Sequence, residues 1–200
     1  GCAVTKHEGL LEGTGTLGPD RTVTVAAADG ATSQLVGDAV ILASGSVPRT
    51  LPGFDVSDRI LTSDEVFQMK AVPDRIVVIG GGAIGCEFAS TFLDLGAEVT
   101  VLEALPAILP GVDADVVKVV HRALEKRGMV IRTGVRVDGH ETGPDSITVR
   151  VEGGDPVEAD AVIVSVGRRP LSESLGLEGS GVQVDERGFV VVDEGCRTGV

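Results

Sequence analysis

Apolar and polar residues fall into blocks along the middle of the chain, and these blocks predict a strand, a helix and a second strand. Residues 76–79 are all apolar and lead directly into a glycine-rich turn. The segment after the turn predicts a helix that ends near Leu95, where Gly96 stops it. A second apolar run at 99–102 predicts another strand, which ends on Glu103. This order is typical of a βαβ unit with a parallel sheet.

The turn itself has glycine at three fixed spacings, Gly80-x-Gly82-x-x-Gly85. Gly80 allows a tight turn off the strand, Gly82 leaves room for a pyrophosphate, and Gly85 lets the helix pack closely on the sheet. The free N–H groups and the positive dipole end at the start of the helix favour phosphates. Because strand, turn, helix, second strand and terminal acid all occur in order, the segment predicts a dinucleotide site.

Glu103 indicates which dinucleotide is preferred. A carboxylate at this strand end can accept hydrogen bonds from the adenosine ribose hydroxyls, and it would repel a 2′-phosphate. Residues 104–107 contain no Arg or Lys to receive that phosphate. The sequence therefore predicts a preference for NAD(H) over NADP(H).

A second helix and a third parallel strand are predicted next. Asp113 can cap the helix, Gly128 ends it, and residues 129–131 form the strand. The apolar face of this helix is predicted to consist of Val116, Val117, Val120 and Leu124.

The pattern then changes to short strands separated by Gly, Pro and Asp, at 135–137, 147–151 and 157–159. These predict an antiparallel meander. Residues 160–165 return as another buried strand. The fold class predicted is therefore α/β, with a parallel sheet and an antiparallel meander.

The two ends of the chain predict strands and turns. Strands are expected at 22–25, at the fully apolar run 39–43, and at 182–184 and 189–192 around a turn at 186–188, and a short helix is expected to start at 62–65. The strands at 39–43 and 160–165 each end in a turn of small residues, at 44–46 and 165–167. Such turns either hold a ligand beyond the carboxyl end of a sheet or simply close a core strand.

Composition narrows the classes of function. The chain has 200 residues, with 17 Lys and Arg against 30 Asp and Glu, which gives a net charge of −13. A surface this acidic repels nucleic acid and anionic membrane, and no apolar run approaches the length needed to cross a bilayer. Cys2, Cys86 and Cys196 have neither metal-like nor Cys-x-x-Cys spacing, so we expect no bound metal, no disulfide framework and an intracellular, cytoplasmic setting.

Five stretches together resemble the pyridine nucleotide-disulfide oxidoreductase family, and within it the dihydrolipoamide dehydrogenase branch. They are residues 39–49, 80–90, 95–103, 109–115 and 166–170, in the order of the family. Mercuric reductase, glutathione reductase and NADH oxidase share this framework and remain alternatives. A non-catalytic, free-standing NAD-sensing module is the alternative from a different class.

The resemblance implies a Rossmann-like, three-layer ββα domain that binds NAD, flanked by partial strands of an FAD domain. The NAD domain is expected at 73–170, and the parts of the FAD domain at 1–72 and 171–200. In such enzymes a disulfide/dithiol pair reduces FAD on one face, and hydride passes between the flavin and a nicotinamide on the other.

The resemblance also implies roles for individual residues. Glu87 would position the nicotinamide near the flavin and pair with a lysine of the FAD domain; its alternative is a solvated glutamate favoured by the helix dipole. Cys86 is expected to be buried and inert. FAD contacts are implied for Gly15, Ser44, Gly45 and Ser46. NAD contacts are implied for Gly80, Gly81, Gly82, Ala83, Ile84, Gly85, Glu87, Glu103, Val137 and Gly167.

Several family features are missing from the 200 residues. These are the first Gly-x-Gly-x-x-Gly, the Cys-x-x-x-x-Cys redox pair, and the catalytic His and Glu of a dimerisation domain. His7, His121 and His140 do not stand in a His-x-His-Pro context. We therefore expect a piece of a longer enzyme that is inactive alone. Its parent is expected to be a homodimer that acts on a lipoyl-bearing protein.

Overall fold

A computed structural model describes residues 4–6 and 9–200, so Cys2 and His7 lie outside the described residues. The chain forms two compact units. One unit combines the described residues up to Val47 with Arg168–Val200, and the other is Pro48–Gly167. Within the described residues, no helix combines the length and the apolar character needed to cross a membrane.

Fifteen strands and three α-helices make up the described fold, with 3-10 turns at Pro19–Arg21 and Glu173–Leu175. The helices are α1 (Ser63–Val66), α2 (Ala83–Asp94) and α3 (Ala114–Lys126). The strands are β1 (Val4–Lys6), β2 (Gly9–Leu11), β3 (Thr14–Leu17), β4 (Thr22–Ala26), β5 (Thr32–Val36), β6 (Ser46–Pro48), β7 (Ile60–Leu61), β8 (Arg75–Ile79), β9 (Glu98–Glu103), β10 (Val130–Thr133), β11 (Val137–Thr142), β12 (Ile147–Val151), β13 (Val157–Ala159), β14 (Ala161–Val164) and β15 (Arg168–Pro170).

A five-stranded parallel sheet in the order β10-β9-β8-β14-β7 forms the centre of the unit Pro48–Gly167. The chain moves outward from β8 through β9 to β10, and then returns to place β14 on the other side of β8. Strand order therefore reverses between β8 and β14. In open α/β sheets, a crevice at the carboxyl ends of the strands opens at such a reversal.

Two hydrophobic cores cover the two faces of this sheet. On β8, Ile76 and Val78 pack with α2 and α3, whereas Val77 and Ile79 pack with residues of the antiparallel β11-β12-β13 sheet such as Val149. Side chains alternate between the two faces because the strand period is two. Helices, parallel sheet and antiparallel sheet thus form three layers, which confirms the predicted α/β class.

Two details of this unit differ from the predictions. The first strand of the meander runs over Val137–Thr142 and not over 135–137. It extends through the polar residues because residues 139–142 pair with β12, and the register shifts between Val137 and Gly139, where Gly139 has a φ of +150°. On α3, Val117, Val120 and Leu124 face the core as predicted, but Val116 lies at the edge of the apolar stripe and is 51% exposed.

The helix ends follow the sequence signals. Thr62 and Glu65 form a capping box at α1, and the hydrogen bond that the Thr62 hydroxyl donates to Glu65 lowers the pKa of that carboxyl. The Asp113 side chain accepts a hydrogen bond from Asp115 N at the start of α3. Gly128 follows the helix at a φ of +102° and ends it.

The other unit contains an antiparallel sheet in the order β3-β4-β5, and β4 confirms the strand predicted at 22–25. The buried strand predicted at 39–43 is wrong, since no strand forms there and Ile41 is 88% exposed. An apolar run becomes a buried strand only where neighbouring strands pair with it, and no described strand pairs with this one. The strands predicted at 182–184 and 189–192 are reduced to one antiparallel bridge, between Val184 and Val190.

A charged cluster ties β8 to β13 and to the residue before β14, at the amino end of the sheet. Asp160 accepts hydrogen bonds from the backbone N of Arg75 at 2.9 Å and from its guanidinium at 2.8 Å. The same guanidinium lies 3.1 Å from the carboxylate of Glu158. Hydrogen bonds from the Arg75 side chain are the main cause that lowers the pKa of Asp160.

Asp160→Asn is expected to lower the free energy of unfolding by about 1 kcal/mol at pH 7, since the carboxylate is partly exposed. Because folding depresses the pKa of Asp160, its contribution is present above the unfolded pKa of about 3.9 and is lost as the pH falls through the folded pKa. Urea unfolding should show the two proteins converging as the pH is lowered toward about 3. The exposed Asp145→Asn serves as the control, and a constant Asp160→Asn difference across this pH range would contradict the interpretation.

Candidate dinucleotide-binding site

The glycine turn follows β8 directly at the carboxyl edge of the sheet. Gly80 has a φ of +107°, and its N–H donates to Leu102 O at 2.8 Å. A Cβ built on Gly80 would overlap the carbonyl oxygen of Ser165, just after β14. Backbone conformation and close approach therefore both require glycine at this position.

The other two glycines of the motif have different surroundings. A Cβ built on Gly85 would overlap the carbonyl oxygen of Gly80, so glycine is needed there for the helix to approach the turn. A Cβ built on Gly82 would have nothing within 4 Å. The fold therefore does not require glycine at position 82, and the space beside it is open to a ligand.

Helix α2 begins at this turn with backbone donors that no α-helical hydrogen bond uses. Gly82 is its N-cap and provides no side-chain cap, and the first α-helical hydrogen bond runs from Cys86 N to Gly82 O at 2.9 Å. The amides before Cys86 have no partner within the helix, and Ala83 and Ile84 are exposed. Such a helix start, with its positive dipole end, suits phosphate oxygens.

Glu103 ends β9 with its carboxylate directed at the glycine turn. Its Oε2 accepts a hydrogen bond from Gly81 N at 2.6 Å, and its Oε1 accepts one from Leu105 N at 2.7 Å. The residue is only 8% exposed. Since each carboxylate oxygen has two acceptor positions, each retains one for a further donor such as a ribose hydroxyl.

The structure brings two more of the predicted NAD contacts to this edge. Gly167 follows β14 at a φ of +105°, and its carbonyl accepts from Arg49 N at 2.9 Å. Val137 starts β11, two residues after Val135, whose N–H donates to Glu103 O at 3.0 Å. Glu87 lies exposed near the start of α2, with its carbonyl accepting from the Thr91 hydroxyl.

The predicted FAD contacts all lie in the other compact unit. Gly15 is a buried residue of β3, opposite Val25. Ser44 precedes Gly45, which has a φ of +75° and accepts from Leu171 N at 3.1 Å. The Ser46 hydroxyl, at the start of β6, accepts from the Arg168 guanidinium at 2.8 Å.

Cys86 is buried below the glycine turn, as predicted. It is 8% exposed, and its thiol lies 3.4 Å from Gly81 O. Burial, followed by the charges of Glu103 and Glu87, raises the pKa of this thiol to about 11. A thiol with this pKa remains protonated at neutral pH, which argues against a redox role.

Sequence reasoning missed the loop after β9 as part of the site. Ile108 is 1% exposed, and its Cγ2 is 2.8 Å from where a Cβ on Gly81 would lie. Leu109 N donates to Gly81 O at 2.7 Å. Both contacts join residues more than twenty-five positions apart, so no local pattern could have revealed them.

An α/β sheet with a glycine turn and an acidic strand end at its switch point defines a dinucleotide-binding fold. Residues 6–200 match the sequence model of the family described as "Pyridine nucleotide-disulphide oxidoreductase", and the chain belongs to this family. The resemblance seen in the sequence is thereby confirmed.

Individual relatives agree with this assignment. Dihydrolipoamide dehydrogenase of Chaetomium thermophilum is 40% identical over 196 residues, which cover 94% of this chain and 39% of the relative. The structure of LpdA from Mycobacterium tuberculosis has a TM-score of 0.81 at 32% identity, covering 92% of this chain and 40% of that one. The flavoprotein disulfide reductase RclA of Escherichia coli, as its Cu(II) complex, has a TM-score of 0.82 at 28% identity, covering 94% and 42%. The chain thus spans about two fifths of the length of these proteins.

Proposed function

We propose that this chain is the NAD(H)-binding portion of a flavin-dependent dihydrolipoamide dehydrogenase. The parent enzyme would oxidise a dihydrolipoyl group to a lipoyl group and reduce NAD⁺ to NADH, through FAD and a redox disulfide that the 200 residues do not contain. The observation that supports this most directly is the carboxylate of Glu103, held 2.6 Å from the amide of the glycine turn.

The residues of the turn fit a dinucleotide. The open space beside Gly82 would admit the diphosphate, and the amides of Gly82, Ala83, Ile84 and Gly85 would donate to it. Glu103 would hold the adenosine ribose, and Val137 would line the adenosine pocket. Gly81 would keep Glu103 in place through its N–H. When bound, NAD⁺ supplies the hydride acceptor, and the protein supplies position and electrostatics.

The remaining assignments follow from the family. Gly167 would approach the nicotinamide half, and Glu87 would position the nicotinamide. Residues 73–170 would form the NAD domain, and residues 1–72 and 171–200 would belong to the FAD domain. There Gly15 and the turn of Ser44, Gly45 and Ser46 would contact FAD.

We further propose that the parent is a cytoplasmic homodimer whose partner is a lipoyl-bearing protein. The net charge of −13 on these 200 residues argues against nucleic acid or anionic membrane as a partner. The main alternative is a related flavoprotein disulfide reductase that acts on a substrate other than a dihydrolipoyl group. The similarity to the flavoprotein disulfide reductase RclA favours this alternative over a non-catalytic NAD-sensing module. Paired cysteines and their spacing in the parent gene would distinguish these two hypotheses, and coding sequence on either side of the 200 residues would contradict a free-standing NAD-sensing module.

The chain is expected to bind NADH and to bind NADPH at least about tenfold more weakly, because Glu103 would face the added 2′-phosphate at close range. Calorimetric titration of the 200-residue chain measures both affinities. NADH fluorescence gives a second readout, since the chain contains no Trp. Equal affinity for the two nucleotides would contradict the role of Glu103, and no binding of either would contradict the proposed function.

A further inference from the structure

The peptide that joins Gly81 to Gly82 is held from outside the turn. Its carbonyl oxygen accepts the hydrogen bond from Leu109 N at 2.7 Å. On the preceding peptide, the N–H of Gly81 donates to Glu103 Oε2 at 2.6 Å. The loop from Glu103 to Leu109 therefore closes on the turn at both of its ends.

This contact fixes the direction of a donor that faces the ligand space. The described residues contain no cis peptide bond, and in a trans peptide the C=O and the N–H point in opposite directions. Because the carbonyl of Gly81 is directed at Leu109, the N–H of Gly82 is directed away from the loop. A Cβ built on Gly82 would meet nothing within 4 Å, so the space around this residue is open.

Leu109 makes the contact from an uncommon backbone conformation. Its φ is +54°, and it is the one non-glycine residue with positive φ in Pro48–Gly167, all of which is described. Leucine is disfavoured there because its Cβ crowds the backbone. The conformation is stabilised by its neighbours, since Ile108 is 1% exposed and Leu109 itself packs on the helix-side core. Strain held in this way is frequent beside functional sites.

We propose that Leu109 is a positioning residue for the dinucleotide diphosphate. Its left-handed conformation presents its N–H to Gly81, and this aligns the Gly82 amide before the nucleotide arrives. The inference rests on the proposed function, because it assigns Leu109 to the same NAD site. It predicts that backbone preference at position 109, more than side-chain packing, controls NADH affinity.

Leu109→Ile tests this, because isoleucine has the same atoms but a β-branched side chain that resists positive φ. The competent loop conformation becomes less populated, so the NADH dissociation constant should rise roughly tenfold. Leu109→Asn is the comparison variant. Asparagine tolerates the left-handed region but loses the packing, so it should weaken NADH binding less than Leu109→Ile does. If Leu109 acted only through packing, Leu109→Asn would bind NADH more weakly than Leu109→Ile.

Calorimetric titration of NADH measures the dissociation constant of each 200-residue variant. The temperature is one at which circular dichroism shows all of them folded. Wild-type affinity in Leu109→Ile, or weaker binding in Leu109→Asn than in Leu109→Ile, would overturn the role of Leu109 and leave the proposed function standing. Absence of NADH binding by the wild type would overturn both. If Leu109→Ile does not fold, Leu109→Gly and Leu109→Ala provide the comparison, and tighter binding by the glycine variant is then required.

Discussion

Gly82→Ala is expected to weaken NADH binding at least about a hundredfold while the chain stays folded. The added methyl group would occupy the open space beside the start of α2, where a Cβ on residue 82 has no protein atom within 4 Å. A diphosphate kept away from this position loses two or more charge-assisted hydrogen bonds to backbone amides, each contributing about 1.5–3 kcal/mol. Calorimetry measures the affinity, and thermal unfolding measures the stability.

Gly85→Ala provides the contrast, because its Cβ would overlap the carbonyl oxygen of Gly80. Overpacking against backbone is expected to cost at least about 3 kcal/mol of stability. Gly154→Ala controls for the substitution itself, since its Cβ would lie 3.5 Å from Val151, at ordinary contact distance. Unchanged NADH affinity in Gly82→Ala would show that the diphosphate does not lie at the glycine turn. Destabilisation equal to that of Gly85→Ala would show that Gly82 is structural.

Glu103→Ala is expected to have the second large effect, on both affinity and stability. The variant would lose the acceptor of the ribose hydroxyls, and NADH affinity should fall roughly tenfold to a hundredfold. It would also leave the amides of Gly81 and Leu105 without their acceptor, at about 1–3 kcal/mol for the buried Gly81 amide and less for Leu105, which is 48% exposed. The preference for NADH over NADPH should narrow as well, because the repelling charge is gone. Titration with NADH and NADPH measures the affinity and the preference between the two nucleotides, and thermal unfolding measures the stability.

Glu98→Ala is the matched control, since Glu98 is an exposed glutamate at the opposite end of the same strand. It should leave both the affinity and the unfolding temperature near those of the wild type. Glu103→Gln separates charge from size, because it keeps an acceptor oxygen but loses the negative charge. Equal NADH affinity for the wild type and Glu103→Ala would contradict the proposal that Glu103 binds the adenosine ribose.

Much of the Pro48–Gly167 unit could be predicted because its signals are local. The apolar runs of β8, β9 and β14, the cap at Asp113 and the stop at Gly128 lie within a few residues of what they determine. The run at 39–43 carries an equally strong apolar signal and forms no strand. The difference is pairing, since a strand needs partners that its own residues do not specify.

The candidate site also combines features that the local sequence predicts with features that only tertiary contacts decide. The spacing of the three glycines and the position of Glu103 at a strand end could be read directly, and the roles assigned to them stay predictions for the experiments above. The contact of Leu109 with Gly81 was not predicted, although residues 109–115 resemble the family, because it depends on how the loop after β9 folds back. Val116 was placed on the core face by spacing alone, and the packing of α3 left it half exposed.

By itself, the sequence determined the α/β class, the βαβ unit and the glycine turn at the end of β8, because periodicity, caps and glycine conformations act over short distances. The tertiary structure alone decided the direction of the Glu103 carboxylate, the open space beside Gly82 and the hydrogen bond that Leu109 donates to the turn. These features depend on contacts between backbone segments that are distant in sequence and lie together at the carboxyl edge of the sheet. Such contacts form when the three layers pack together, and no short stretch of residues encodes them.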